Sequence, residues 1–395
     1  MRTTINNGAH GAPYGNNMNK TNPLGNITTD EFLKKYWNKK TLVIRQGFPD
    51  FDSLIEPEEL AGLACEEEIS SRIVIEKAGK HPWQPIYGPM DEKVFKKLPK
   101  THWTILVNDV EKHVPQLAYI VDAFRFIPEW RLDDLMISYA PEGGSVGPHY
   151  DQYDVFILQA RGHRRWQIST KPVDPSNQVK DTPLRIQNDF KAEEEWILAP
   201  GDIIYIPPGV THYGVALDDC MSYSIGFRAV THSDMVNDFV GYITQNLEPG
   251  RVYRDTDLQS QAQPNEITED ALQRVRNIFS GYLKPDHPEL MRWFGRFMSD
   301  NKADIAARTQ KITIKQLSQL KTLYRHPASR FAFAKHKKQT LLFVDGEDFS
   351  VNAAFAKTLC KDREVNMAAL LKSASEIEQQ LLVTFYNQGK LVKSL

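Results

Sequence analysis

The sequence predicts an α+β fold organised around a barrel of short strands, and three observations carry that prediction. From about Leu135 to Arg228, short apolar runs alternate with Gly/Pro turns, the pattern of a closed or sandwiched β architecture. Upstream of it, helix caps and single strands are mixed, as in an α+β layer. Beyond about Val230 the pattern changes to amphipathic helices. The expected core is a cupin-type double-stranded β-helix, a relative of the jelly roll. A helical segment and a C-terminal winged-helix-like domain follow it.

The bounds agree with this. A chain of 395 residues is long enough for two or three domains with a sizeable core. A net charge of −2, 41% apolar and 25% charged residues describe an ordinary globular protein. Cys65, Cys220 and Cys360 are odd in number and far apart, so neither a disulfide framework nor a Cys-x-x-Cys zinc site follows, and a reducing cytoplasm is the expected compartment. No signal pattern opens the chain and no apolar run approaches the ~20 residues of a membrane span, so no membrane partner is expected.

Taken in order, residues 1–26 are rich in Asn and Gly and poor in apolar side chains, and are expected to form a disordered tail. Thr28-Thr29-Asp30 caps a helix through Trp37, Thr41–Arg45 reads as a strand, and Pro57 suits the first turn of a further helix. Strands are expected at Arg72–Ile75 and Thr104–Val107, and an amphipathic helix at Val114–Phe124. The barrel then runs through Leu135–Ala140, an eight- to ten-residue strand within Gly147–Gln159, Arg165–Ile168, Trp196–Leu198, the Pro200-Gly201-Asp202 turn with Ile203–Ile206, and Met221–Phe227.

The strand within Gly147–Gln159 carries the chemistry. Residues two apart on a strand share a face, which sends His149 and Asp151 into the same space. An imidazole and a carboxylate side by side make two-thirds of a 2-His-1-carboxylate facial triad, which leaves coordination positions of Fe(II) open for oxygen chemistry. The candidate third ligand is His212, delivered by Pro207-Pro208-Gly209-Val210-Thr211. Alone, His-x-Asp is a short pattern that arises often by chance; the downstream Pro-Gly-Asp…Ile-Pro-Pro-Gly…His makes it specific. In the next strand Arg164, Trp166 and Ile168 share one face. If that face is the core, the buried guanidinium of Arg164 requires an anion, and a bidentate carboxylate matches its fork. An ordinary structural ion pair is the competing reading for Arg164. His163 and His232 read as surface histidines, and Asp154 as a hydrogen-bonding partner at the strand end.

Gly-Pro-His-x-Asp-Gln-Tyr-Asp-Val-Phe, the Arg-Arg-Trp after it, Asp-Asp-Leu-Met-Ile-Ser upstream and Pro-Gly-Asp…Ile-Pro-Pro-Gly…His downstream resemble the bacterial ribosomal oxygenases. These are JmjC-type members of the 2-oxoglutarate-dependent oxygenases. The resemblance is close over Asp133–Arg228 and looser elsewhere. It implies that His149, Asp151 and His212 bind iron and are the catalytic centre, and that Arg164, helped by the Ser138 hydroxyl, holds the distal carboxylate of 2-oxoglutarate. It further implies a reaction that consumes 2-oxoglutarate and O2, releases succinate and CO2, and hydroxylates C3 of an arginine in a large-subunit ribosomal protein. Two other classes share parts of the pattern: a JmjC oxygenase acting on lysine or histidine, and a metal-binding cupin without oxygenase activity. Arg164 with Ser138 argues against the second of these. Tyr139 and Glu142 lie near the expected mouth, where they would meet a substrate arginine by stacking and charge; a solvated loop is the equal alternative.

The expected division is a tail at 1–26, a JmjC/cupin catalytic domain at 27–230, a helical dimerisation segment at 231–300 and a winged-helix-like domain at 301–395. Amphipathic helices are read at Ser233–Leu247, Glu266–Leu283 and Pro288–Met298, and the family resemblance favours a homodimer. From Asn301 on, 16 Lys or Arg stand against 8 Asp or Glu, so this part carries +8 and the remainder −10. That asymmetry suits an acidic catalytic half facing a basic substrate. Strands at Arg330–Ala334 and Thr340–Val344 around an Asp345-Gly346 turn suggest the winged helix. Its Lys335-His336-Lys337-Lys338 cluster reads as a solvated or protein-contacting face before a nucleic-acid site.

Overall fold

The computed structural model describes residues 22–76, 83–180, 182–245, 247–301, 305, 307, 308 and 311–395. The expected tail therefore lies outside the described residues as far as 21. Residues 22–26 form turns, and Leu24 is buried.

The first part of the chain contains α1 (Thr29–Lys35), β1 (Leu42–Ile44), α2 (Pro57–Leu63), β2 (Ser71–Ile75), β3 (Gln84–Tyr87), α3 (Glu92–Phe95), β4 (Trp103–Val107), α4 (Val110–His113) and α5 (Ala118–Asp122). The Thr28 hydroxyl accepts from the Glu31 N–H, as the cap sequence requires. The helix expected over Val114–Phe124 is present over Pro115–Asp122: Pro115 opens it with a 3-10 turn (Pro115–Leu117) that runs directly into α5, while α4 is a separate short helix that precedes the expected span.

The barrel strands are β5 (Leu132–Ala140), β6 (Val155–Arg161), β7 (Arg164–Ser169), β8 (Glu194–Leu198), β9 (Ile203–Ile206), β10 (Thr211–Ala216) and β11 (Cys220–Phe227). They form two facing sheets. The larger has eight strands in the order β1-β9-β6-β11-β5-β4-β2-β3, and the smaller has the order β10-β7-β8. Every pairing is antiparallel.

Alternation sorts the side chains of the larger sheet between two cores. Leu135, Ile137, Phe156, Leu158, Tyr205, Tyr223 and Phe227 turn outward, joining Phe32, Phe48 and Phe124 in the main apolar cluster. Val155, Ile157, Ile204 and Ile206 turn inward to meet Trp166, Ile168 and Leu198 of the smaller sheet. Burying each such side chain is worth roughly 1.5–3 kcal/mol, which fixes the register and with it the face that every polar residue must occupy.

The chain divides into two compact units, one essentially residues 1–229 and the other mainly Val230–Leu323 with Ser329–Leu391. The second contains α6 (His232–Gln245), α7 (Glu269–Tyr282), α8 (Leu290–Ser299) and α9 (Ile314–Leu317). After these come β12 (Thr322–Arg325), β13 (Phe331–His336), β14 (Gln339–Val344), β15 (Glu347–Ser350), α10 (Ala353–Lys361), β16 (Glu364–Asn366), α11 (Met367–Ser373), α12 (Glu376–Asn387) and β17 (Leu391–Val392). They build the small sheets β13-β14-β15 and β16-β12-β17. Gly295 of α8 lies directly against the Phe343 ring, so close that a Cβ would stand 2.2 Å from it, and α8 thus packs on the β13-β14-β15 sheet.

Candidate metal centre

The segment before β6 runs antiparallel to β10. The Gly143 N–H donates to the Ala216 carbonyl and the Ala216 N–H to the Gly144 carbonyl. Further along, His149 and His212 exchange both backbone hydrogen bonds, at 3.0 and 2.8 Å. The expected continuous strand over Gly147–Gln159 is not formed, and β6 begins only at Val155. Pro148 lacks the N–H a ladder needs, and Gly147 sits at φ +79°, so this edge holds at single bridges. Gly147 also has no room for a side chain, since a Cβ would lie 2.6 Å from Ile186. The loop from Asp151 is fixed at two points. Its carbonyl accepts from the Gly209 N–H at 2.7 Å, and the Asp154 carboxylate accepts from Tyr205 and Asn38, each at 2.5 Å.

This frame brings three side chains together. One ligand atom from each of His149, Asp151 and His212 lies within 4.8 Å of the others. Nε2 of His212 is 3.7 Å from an Asp151 carboxylate oxygen, and the two imidazole centroids are 4.3 Å apart. Each ring is oriented from behind: Nδ1 of His149 faces the Gly147 carbonyl at 2.9 Å, and Nδ1 of His212 faces the Val210 carbonyl at 3.0 Å. A carbonyl can only accept, so both Nδ1 atoms carry the proton and both Nε2 lone pairs are free to ligate. Burial, reinforced by the neighbouring His149, holds the His212 imidazole down at about 4, so it is neutral at physiological pH. Two imidazoles and one carboxylate on a single centre form the donor set of a facial triad and fit a divalent iron.

Arg164, Trp166 and Ile168 are all buried on the inner face of β7, while Arg165 and Gln167 alternate to the other side. The Arg164 guanidinium, 4% exposed, has no carboxylate partner among the described residues. Its Nη2 lies 3.5 Å from the Cys220 sulfur, and its Nε has no acceptor. A buried cation in that condition is the feature that fits an acidic co-substrate. Ser138 is buried on the inner face of β5, opposite Ser222 of β11, whose hydroxyl donates to Gln159 at 3.0 Å. Ser138, Ser222, Gln159 and Arg164 thus give the barrel interior a polar floor beneath the triad.

The structure decides between the two readings of Tyr139 and Glu142. Tyr139 has the opposite parity to Ser138, so it packs outward against Trp103, with ring centroids 5.7 Å apart, and the exposed Glu142 follows it at the Arg164 end of β5. The acidic group that does sit at the triad end is Asp134, on the Ser138 face and beside Gly226. Burial, then the charges of Asp109 and Asp133, push its carboxyl up to about 7. Its shared parity with Ser138 was the available signal.

Comparison with known proteins agrees with this geometry. Residues 119–235 match the JmjC domain and residues 283–391 match a ROXA-like winged helix. The chain is 38% identical over 276 residues to the ribosomal protein uL16 3-hydroxylase of Escherichia coli K12, covering 70% of this chain and 72% of that one. It is also 37% identical over 266 residues to a probable ribosomal oxygenase of Haemophilus influenzae, covering 64% and 63% of the two chains. The chain belongs to the ribosomal oxygenase family.

Solved structures extend the family likeness to nearly the full length. The X-ray structure of E. coli ycfD superposes with a TM-score of 0.82 at 31% identity, covering 93% of this chain and 98% of that one. A structure of the same ribosomal oxygenase in complex with cobalt and 2-oxoglutarate gives 0.80 over the same shares. The α+β architecture with a cupin-type barrel and a winged helix, expected from strand and turn patterns, and the JmjC character implied by the motif resemblance, are those of this family.

Proposed function

We propose that this ribosomal oxygenase is an Fe(II)- and 2-oxoglutarate-dependent dioxygenase that hydroxylates C3 of an arginine in the large-subunit ribosomal protein uL16. The observation that carries the reading is the pairing, on one inner surface, of two pre-oriented imidazoles and a carboxylate with a buried guanidinium that has no counter-ion among the described residues. In this assignment His149, Asp151 and His212 hold the metal, and Arg164 with Ser138 holds the distal carboxylate of 2-oxoglutarate. When bound, iron and 2-oxoglutarate supply the activation of O2 that inserts oxygen into a C–H bond, with succinate and CO2 released. The protein's part is geometric and electrostatic. The carbonyls of Gly147 and Val210 fix the ring tautomers, the apolar wall of Val155, Ile157, Ile204 and Ile206 excludes water, and the polar floor orients the dicarboxylate.

Asp134 supports a basic substrate side chain. It makes no ion pair among the described residues, and a guanidinium placed against it would restore its ionised form. The division into a catalytic domain over 27–230, a dimerising helical segment over 231–300 and a winged-helix domain over 301–395 belongs to the same proposal. Exposed apolar residues on α6 and α7, among them Val236, Leu272 and Phe279, support self-association there. No helix among the described residues is long and apolar enough to cross a membrane, and action on ribosomal protein would place the enzyme in the cytoplasm.

The test is turnover of 2-oxoglutarate to succinate by the iron-loaded protein with ascorbate, with and without uL16. Mass spectrometry of the uL16 product would look for one added oxygen, about 16 Da, on arginine. Absence of turnover with uL16 and with whole ribosomes would refute the proposal. An added oxygen on lysine or histidine would redirect it to the sibling chemistry.

A further inference from the structure

The register of β7 against β10 divides the inner wall into three rows. His212 lies opposite Ile168, Gly214 opposite Trp166, and Ala216 opposite Arg164. Inward residues on a strand recur every ~6.7 Å, so the metal row and the anchor row are separated by one intermediate row. That row consists of Trp166 and a glycine. The Trp166 ring centroid is 5.9 Å from the His212 ring, and the Arg164 guanidinium carbon is 5.9 Å from the Trp166 ring. A co-substrate reaching from the triad to Arg164 must pass along this indole.

The ring is also held in place. A Cβ on Gly214 would lie 2.8–3.0 Å from the benzo edge of Trp166, so the absence of a side chain at 214 is what lets the indole lie flat on β10. Trp166 is 5% exposed, and its Nε1–H has no acceptor among the described residues. An indole N–H is a donor only, and leaving one buried without a partner costs about as much as a lost hydrogen bond. Core tryptophans normally find an acceptor, whereas the residues packed around this one are Val155, Ile157, Ile204 and Ile206, with the Arg164 guanidinium beside the ring, and none of their side chains offers one.

We infer that Trp166 is a third direct contact to the co-substrate: its Nε1–H donates a hydrogen bond to 2-oxoglutarate lying between the triad and Arg164. The inference rests on the functional reading above and adds to it the residue that fills the middle row. It assigns Trp166 to binding and orientation, with no proton transferred.

The test uses the full chain loaded with Zn(II), which occupies the triad without turnover, and titrates 2-oxoglutarate. Trp166→Phe keeps the aromatic wall and removes the donor. Its Kd for 2-oxoglutarate should rise by about 10-fold, the loss of one hydrogen bond to a charged acceptor, while zinc affinity stays unchanged. The second readout is the 15N-indole spectrum of the wild type, which has seven tryptophans. The signal missing from Trp166→Phe, or from Trp166→Tyr should the first variant not fold, should shift on saturation with 2-oxoglutarate. An unmoved indole signal, or an unchanged Kd in the variant, overturns the assignment of Trp166 while leaving the oxygenase reading intact. Failure of the wild-type protein itself to bind 2-oxoglutarate overturns both.

Discussion

Arg164 in the barrel and Glu378 in the C-terminal unit are both charged and both almost fully buried, yet they are opposites in how they are satisfied. The Glu378 carboxylate accepts from the Asn352 N–H and Nδ2 and from the Ser375 N–H and hydroxyl. It closes a capping box at the start of α12 and ties that helix to the cap of α10. Both carboxylate oxygens have donors within the fold, so Glu378 is explained by architecture alone. Arg164 has one weak sulfur contact and an orphaned Nε. Burial of a charge does not by itself mark function; burial without a partner does, because the fold then carries a cost that only a ligand relieves.

The largest effect expected on the functional side of this contrast is at the triad. Asp151→Ala or His212→Ala removes one of three donors and should abolish detectable Fe(II) binding by calorimetry and all succinate formation, with the far-ultraviolet circular dichroism unchanged. Retention of tight iron binding would show that the donors lie elsewhere. Next comes Arg164→Met, which replaces an unpaired buried cation by an apolar side chain of similar length. The apparent KM for 2-oxoglutarate should rise at least 100-fold, while thermal stability without co-substrate stays level or increases. A large loss of stability in Arg164→Met would mean that the guanidinium is a structural group after all and would erase the contrast.

Glu378→Ala tests the other side. Stranding two backbone N–H groups and two side-chain donors should lower unfolding stability by about 2–4 kcal/mol, read as a fall in Tm, with the KM for 2-oxoglutarate unaltered. A shift in KM without a change in Tm would contradict the architectural role.

What was legible in the sequence follows from which signals are local. Strand parity placed Arg164 inward correctly because β7 is flanked on both sides by paired strands, which hold its alternation regular. The same rule predicted that His149 and Asp151 converge, and they do, although no continuous strand carries them: the backbone bonds between His149 and His212 position the ligands instead. Those bonds join residues 63 positions apart, beyond the reach of local pattern. The apolar spacing over Val114–Phe124 marked a helix that is there, but not that its first turn, opened by Pro115, is 3-10 or that a separate short helix, α4, lies just before it. Strands as short as β16 and β17, three and two residues long, offer too few alternations to register. Tyr139 reads as near the mouth because it stands at the end of β5, whereas its odd parity sends it to the outer core.

The smallest effect expected belongs to a third buried ionisable group, Glu111, which lies between the two extremes. Among the described residues its one hydrogen-bond donor is the Leu135 N–H at 3.0 Å, and burial, with the charge of Asp134 adding to it and that of Lys112 opposing, pushes its carboxyl up to about 8 from 4.5. A carboxyl whose pKa is raised on folding binds its proton more tightly in the native state. Its contribution to stability is then fully present below about pH 4.5 and is lost as pH rises through about 8. The wild-type protein should therefore lose thermal stability gradually across that window, and Glu111→Gln, which mimics the protonated group and keeps the acceptor for Leu135, should flatten the slope while leaving the Tm near pH 5 almost unchanged. Parallel pH profiles for the two proteins would show that Glu111 is ionised in the folded state, and would place it with the fully satisfied Glu378 rather than with groups whose surroundings are incomplete.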